Sequence, residues 1–149
     1  MYRLLVKEIM QRPVVTIGPE RMAGDAAQLM EEHDVRRLPV INEDEYLVGI
    51  VTDTDVLEAE TAEDVLSSYE PGSDEEWLAV GDIMTAEVIT IAPEATVGEL
   101  AHLFLTHKIG GVPVVVTGDA GQQRVVGIVT EMDVFRPIAE AWTQERERA

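Results

Sequence analysis

The stretch Gly49-Ile50-Val51-Thr52-Asp53-Thr54-Asp55 returns as Gly127-Ile128-Val129-Thr130-Glu131-Met132-Asp133, and this duplication constrains the fold more than any other feature of the chain. In both copies an apolar, β-branched run stops at a threonine and gives way three residues later to an aspartate followed by apolar residues. That is the pattern of a buried strand feeding a helix. A threonine at the N-cap with an acidic side chain at the third helical position resembles a capping box, so Thr52/Asp55 and Thr130/Asp133 have a purely local reading, the satisfaction of free backbone N–H groups. The same arrangement also suits a ligand. A helix N-terminus offers donors and positive partial charge to an anion, and a nearby carboxylate accepts hydrogen bonds from sugar hydroxyls.

The duplication extends beyond the motif. Val6-Lys7-Glu8-Ile9-Met10 is mirrored by Val80-Gly81-Asp82-Ile83-Met84, a shift of 74 residues. In the same register Val14-Val15-Thr16-Ile17 answers to Val88-Ile89-Thr90-Ile91, each reading as a short β-branched strand, with Pro19-Glu20 and Pro93-Glu94 as the punctuation that follows. A helix comes next in both copies. Its apolar stripe is Ala23, Ala26, Ala27 and Met30 in the first and Val97, Leu100, Ala101 and Phe104 in the second, at i, i+3, i+4, i+7 spacing, which marks core. Thr96 and Glu99 promise a capped start for the second of these helices; Met22 at the matching place predicts a less crisp start for the first. The helices are expected to end near His33-Asp34 and His107-Lys108, where a histidine meets the helix C-terminal dipole favourably. Strands follow at Arg36–Ile41 and Gly110–Val115, then polar turns at Asn42–Glu45 and Thr117–Gln123, after which the register becomes 78, and then the strands of the opening motif. Each copy therefore reads strand, helix, strand, turn, strand, helix, an α/β (α+β) unit of β-α-β-β-α order.

Residues 58–76 are acidic and contain Pro71-Gly72-Ser73-Asp74, the strongest breaker signal in the chain. They read as an extension of the first copy's last helix followed by a surface loop, with Trp77 and Leu78 returning to the core. At the far end Phe135, Ile138, Ala139 and Trp142 share a helical face, but Pro137 falls inside it and has no N–H to donate. A break near Arg136 is predicted, leaving Ile138 to Arg148 as a separate, partly mobile segment. The resulting organisation is a first domain at 1–60, an acidic linker at 61–79, a second domain at 80–137 and a C-terminal helical tail at 138–149.

Composition bounds the function. The chain has no cysteine, which removes disulfides, thiolate nucleophiles and cysteine-ligated metals together. No apolar run reaches the roughly 18 residues that span a bilayer, and the expected location is the cytoplasm. The formal net charge is -18, and no Lys or Arg occurs between Arg37 and Lys108. Such a surface repels phosphate backbones and anionic lipid, so neither nucleic acid nor membrane is an expected partner.

Two β-α-β-β-α units, each with a hydrophobic-Pro-Val run (Leu38-Pro39-Val40, Val112-Pro113-Val114) and then the Gly-hydrophobic-Val-Thr-x-x-Asp motif, resemble a tandem pair of CBS domains, the Bateman module. The resemblance covers roughly Val6 to Leu57 and Val80 to Phe135. It implies two units packed about a pseudo-twofold axis, two clefts that hold adenosine-containing ligands, and a disc-shaped homodimer. Position by position it implies one ligand site around Val15, Thr16, Arg37, Leu38, Pro39, Thr52 and Asp55, and a second around Ile89, Thr90, Gly111, Val112, Pro113, Thr130 and Asp133. In each the aspartate would take ribose hydroxyls, the threonine would lie near phosphate, and the strand entrances would face the base. The implied function is a regulatory, energy-sensing module signalling by conformational or oligomeric change to a regulated protein partner. The acidic charge orders the ligands as AMP before ADP or ATP, with the cation-bearing S-adenosylmethionine a further candidate. Mg2+ enters only with a polyphosphate, for which Asp53 and Asp55 are the nearby carboxylates.

Other classes find less support. The serines, Ser67, Ser68 and Ser73, all fall in the acidic linker, and His33, His102 and His107 form neither a triad nor a His-x-x-x-His pair. No catalytic residue and no metal site is expected. The rival that shares the fold is a ligand-free dimerisation or docking scaffold for a partner protein.

Overall fold

The computed structural model describes residues 3–69 and 78–148, the side chains of 62–69 excepted. The elements in chain order are α1 (Val6–Ile9), α2 (Ala23–His33), β1 (Arg37–Ile41), β2 (Leu47–Thr52), α3 (Asp53–Tyr69), α4 (Val80–Ile83), α5 (Val97–His107), β3 (Gly111–Thr117), β4 (Gln123–Thr130) and α6 (Glu131–Arg148). Strands β1 and β2 pair antiparallel, as do β3 and β4. Both ladders carry a bulge after the Pro-Val pair, between Val40 and Ile41 in one and between Val114 and Val115 in the other.

The compact units do not follow the order of the copies along the chain. One is Val15–Val88; the other joins Met1–Val14 to Ile89–Ala149. Each unit thus contains the short lead-in helix that precedes the other copy. Helices of four residues are too short to be stable alone, and α1 and α4 are fixed from outside by matching backbone bonds. The Val6 amide donates to the Ala95 carbonyl (2.8 Å) and the Val97 amide to Leu4 (2.7 Å); the Val80 amide donates to Arg21 (2.7 Å) and the Ala23 amide to Leu78 (2.9 Å). The anchors are Val6 and Val80, both without exposed surface. Val6 joins Leu100, Val112, Val114 and Val129 in one core, and Val80 joins Leu38, Val40, Val51 and Ala26 in the other.

The two motif glycines have a packing reason. A Cβ on Gly127 would run into the sulfur of Met10, and one on Gly49 into the sulfur of Met84. The methionine that follows each lead-in helix lies against the bare strand backbone, and the residue after it bridges the next strand position. Gln11 exchanges two backbone hydrogen bonds with Ile128 (2.8 and 3.0 Å), and Thr85 does the same with Ile50 (2.9 and 2.9 Å).

The apolar stripes of α2 and α5 face the core as expected, with Ala26 and Leu100 fully buried. The Thr96 hydroxyl accepts the Glu99 amide (3.1 Å). Helix α2, which lacks such a cap, is held instead by the Asp25 carboxylate on the Met22 amide (3.1 Å). Both helices stop at a left-handed residue, Asp34 (φ 53°) and Lys108 (φ 54°). The first turn is held by the Asn42 side-chain oxygen, which accepts the amides of Asp44 and Tyr46 (both 3.0 Å).

Two expectations change. The segments around Val14–Ile17 and Val88–Ile91 are single-residue parallel bridges, Ile17 to Val40 and Ile91 to Val114, and not strands. Prolines at 13, 19 and 93 confine the pairing, and only the Ile17 and Ile91 backbones reach the neighbouring strand. Helix α6 runs unbroken through Pro137 to Arg148, so the domain boundary placed at 137 falls inside a helix. Pro137 removes one i→i−4 bond, while the sequence beyond it is rich in Ala, Glu, Gln and Arg, which propagate a helix well. Arg146 stacks over the Trp142 ring at 5.3 Å in the same segment. The acidic stretch extends the first copy's last helix as expected, as far as Tyr69; the Pro71-Gly72-Ser73-Asp74 turn and Trp77 lie outside the described residues, and Leu78 is half-buried.

Two expectations follow. Gly127→Val should cost about 1–3 kcal/mol in urea unfolding by overpacking against Met10, and an unchanged midpoint would contradict the packing role. Pro137→Ala should raise the melting temperature, with a gain of up to about 3 kcal/mol; a loss of stability would show that the proline is required for the helix path.

Candidate functional site

In each unit three chain segments converge at one end of the strand pair. Arg37 lies opposite Thr52, Leu38 opposite Val51, and the Ile17 amide donates to the Pro39 carbonyl (3.1 Å), which brings Val15 and Thr16 alongside. The other unit repeats the layout, with Gly111 opposite Thr130, Val112 opposite Val129 and the Ile91 amide on the Pro113 carbonyl (3.2 Å). The turn from strand to helix is pinned identically, by the Asp53 amide on the Arg36 carbonyl (2.9 Å) and the Glu131 amide on the Gly110 carbonyl (3.0 Å). Each of the two predicted residue sets is therefore gathered within a single unit.

Not every member can present a side chain. Leu38, Pro39, Val112 and Pro113 are fully buried core residues, and the two proline carbonyls already accept amides. Gly111 is buried too, whereas Val15, Thr16, Arg37, Ile89 and Thr90 are half-buried. The Thr90 hydroxyl accepts a long 3.5 Å contact from the Gln123 side chain.

The threonine–aspartate pairs cap helices α3 and α6, and here the copies diverge. Asp55 and Thr52 form a reciprocal box: Asp55 Oδ2 accepts the Thr52 amide (2.9 Å) and Thr52 Oγ1 accepts the Asp55 amide (3.2 Å). Asp55 is half-buried, and among the described residues its Oδ1 takes no hydrogen bond. Asp133, by contrast, is 1% exposed. Its Oδ2 accepts the Thr130 amide (2.8 Å) and hydroxyl (3.3 Å), while its Oδ1 accepts Gln11 Nε2 (2.9 Å) and Arg136 Nη1 (3.3 Å). A carboxylate offers about four acceptor sites, so this one is saturated by the protein.

Gln11 and Arg136 were not among the residues expected from the sequence. Arg136 lies one turn beyond Asp133 and was legible as an i,i+3 partner. Gln11 comes from 122 residues away and reaches Asp133 only because its backbone is bridged to Ile128.

Two largely apolar grooves lie on the helical faces, with Asp53 and Thr54 on the rim of one and Glu131 on the rim of the other. One, of about 350 Å3, is bounded by α2 and α3 at Ala27, Met30, Val56 and Leu57; the other, of about 390 Å3, by α5 and α6 at Phe104, Leu105, Val134 and Phe135. Neither includes Thr52, Asp55, Thr130 or Asp133. No helix among the described residues is long and apolar enough to cross a membrane.

Comparison with known proteins agrees with this layout. Hypoxic response protein 1 of Mycobacterium tuberculosis is 29% identical over 134 residues, which span 90% of this chain and 85% of the relative. The CBS domain pair of protein MJ0100, solved in complex with 5'-methylthioadenosine and S-adenosyl-L-methionine, matches with a TM-score of 0.75 at 31% identity over 92% of this chain and 97% of that one. CBSX2 of Arabidopsis thaliana, solved in complex with AMP, matches with a TM-score of 0.72 at 28% identity over 93% and 98% of the two chains. The CBS domain model itself matches residues 6–62 and 80–140, one stretch for each copy of the duplicated motif. The chain belongs to the CBS-domain family, as a tandem pair.

Proposed function

We propose that this CBS pair is a regulatory module that binds an adenosine-containing ligand, with AMP as the preferred species and Asp55 as the residue that takes the ribose hydroxyls. The observation that carries the reading is the half-buried Asp55 carboxylate at the start of α3, with one oxygen engaged by the Thr52 amide and the other open among the described residues. A charged acceptor suits a pair of hydroxyl donors, and the Thr52 end of the helix suits a phosphate oxygen. Support also comes from the similar pairs solved with AMP and with S-adenosyl-L-methionine. Among adenosine ligands charge favours AMP, because a protein of net charge -18 disfavours each added phosphate. AMP also requires no divalent cation; Mg2+ belongs only to a polyphosphate alternative.

Regulation needs a response that a partner can read, and we place it in a homodimer. On α6 Phe135, Ile138 and Trp142 form an exposed apolar stripe (53%, 47% and 58%), and Leu105 on α5 is 79% exposed beside Phe135. Apolar side chains exposed together in this way mark an association surface, and a second copy of the same chain is its simplest occupant. A ligand-free scaffold that dimerises or docks through the same faces is the second reading, favoured by the Thr52/Asp55 box being complete as a helix cap without any ligand.

Titration calorimetry with AMP distinguishes the two. The parent should bind, and Asp55→Asn should weaken binding by about 1.5–3 kcal/mol, tenfold to over a hundredfold, with little change in stability because asparagine can still cap the helix. Unchanged affinity in the variant, or no binding by the parent of AMP, ADP, ATP or S-adenosylmethionine, would leave the scaffold. Light scattering at tens of micromolar should give a dimer mass, and Leu105→Glu with Phe135→Glu should give a monomer; a monomeric parent would remove the dimer.

A further inference from the structure

The two copies place the same backbone around their aspartates and put different side chains on it. Gln11 and Thr85 occupy matching positions, each held by a pair of backbone bonds to the strand residue it faces, Ile128 or Ile50. Gln11 is long enough to reach Asp133 Oδ1 at 2.9 Å. Thr85 is two atoms shorter, and among the described residues it makes no such bond to Asp55. One turn into the helix, Arg136 lies 3.3 Å from Asp133 Oδ1, and its counterpart beside Asp55 is the exposed Glu58. An amide and a guanidinium thus sit over one carboxylate, where the matching positions around the other carry a short hydroxyl and a like charge. The Asp133 side chain is 0% exposed as a result, although Gln11 and Arg136 are themselves exposed residues.

We propose that Gln11 and Arg136 act as an internal ligand that closes the second-copy site, so that an adenosine ligand fills the Thr52/Asp55 site alone. The inference rests on the adenosine-binding reading of the Thr/Asp motif and adds which of its two copies is available. A pair of ribose hydroxyls arriving at Asp133 finds every acceptor position taken by donors that the protein already supplies, two of them on Oδ1. The ligand must displace an amide and a charged group to gain what those groups already provide. At Asp55 the hydroxyls meet an oxygen that takes no hydrogen bond from the described residues.

The test is a reciprocal exchange. AMP stoichiometry and affinity are measured by calorimetry for the parent, for an opening pair Gln11→Thr with Arg136→Glu, and for a closing pair Thr85→Gln with Glu58→Arg. Melting curves for all three establish that each is folded. The parent should bind one AMP per chain, the opening pair should gain a second equivalent, and the closing pair should bind at least about tenfold more weakly although Asp55 is untouched. Asp55→Asn added to the opening pair should leave the new site alone. Should the opening pair fail to fold, the closing pair carries the test. Two equivalent sites in the parent, or a closing pair that binds like the parent, would overturn the inference and leave the adenosine reading intact. No AMP bound by parent or opening pair would remove both.

Discussion

Val6 and Val80 are the contacts on which the rest of this molecule depends. A two-stranded sheet and its two covering helices leave a gap in each core, which is filled by the lead-in helix of the copy whose sheet lies in the other unit. Fully burying a valine contributes about 1.5–3 kcal/mol, and here the gain is coupled to the backbone bonds that fix Leu4–Gln11 beside β4 and Leu78–Thr85 beside β2. The glycine in each Gly-Ile-Val-Thr motif belongs to the same arrangement, since only a bare backbone lets the Met10 or Met84 side chain lie flat on the strand. Neither copy completes its own core in this arrangement, because the buried valine of each lead-in helix belongs to the unit that holds the other copy's sheet.

This exchange also delivers chemistry. By bridging Gln11 to Ile128 and Thr85 to Ile50, it carries one further side chain from each lead-in segment to the strand-to-helix turn where the aspartate sits. The pairing of backbone is the same in both units, and around the two aspartates the side chains differ, with Gln11 and Arg136 at one and Thr85 and Glu58 at the matching positions of the other. A duplicated scaffold has thereby acquired one carboxylate committed to internal structure and one that remains half-exposed. Both carboxylates accept the amide of their strand-ending threonine, and only that of Asp55 keeps an oxygen open among the described residues.

Much of the architecture was legible before any coordinates. The stripes Ala23/Ala26/Met30 and Val97/Leu100/Phe104, the turns after β1 and β3, and the Thr-x-x-Asp helix starts all follow from local periodicity and capping chemistry, which are properties of neighbouring residues. What was missed is non-local or quantitative. Pro137 was expected to end a helix because its local cost is large, yet one lost bond in an 18-residue helix is outweighed by the helix formers beyond it. The short runs at Ile17 and Ile91 had strand composition but only a one-residue overlap with a partner. The Gln11–Asp133 contact spans 122 residues and depends on the exchange of lead-in helices, for which the sequence carries no local signal. The 74- and 78-residue registers did, however, align Gln11 with Thr85 and Arg136 with Glu58, so the asymmetry itself was visible as a pair of mismatches.

The most direct measurement is a crystal structure of the protein grown with AMP. The expected result is ribose hydroxyls on Asp55 Oδ1, with the Gln11 amide and the Arg136 guanidinium still on Asp133. Ribose hydroxyls bonded to Asp133 with Gln11 displaced, or crystals with no nucleotide at Asp55 despite saturating AMP, would contradict the assignment of Asp55 as the ligand-gripping carboxylate.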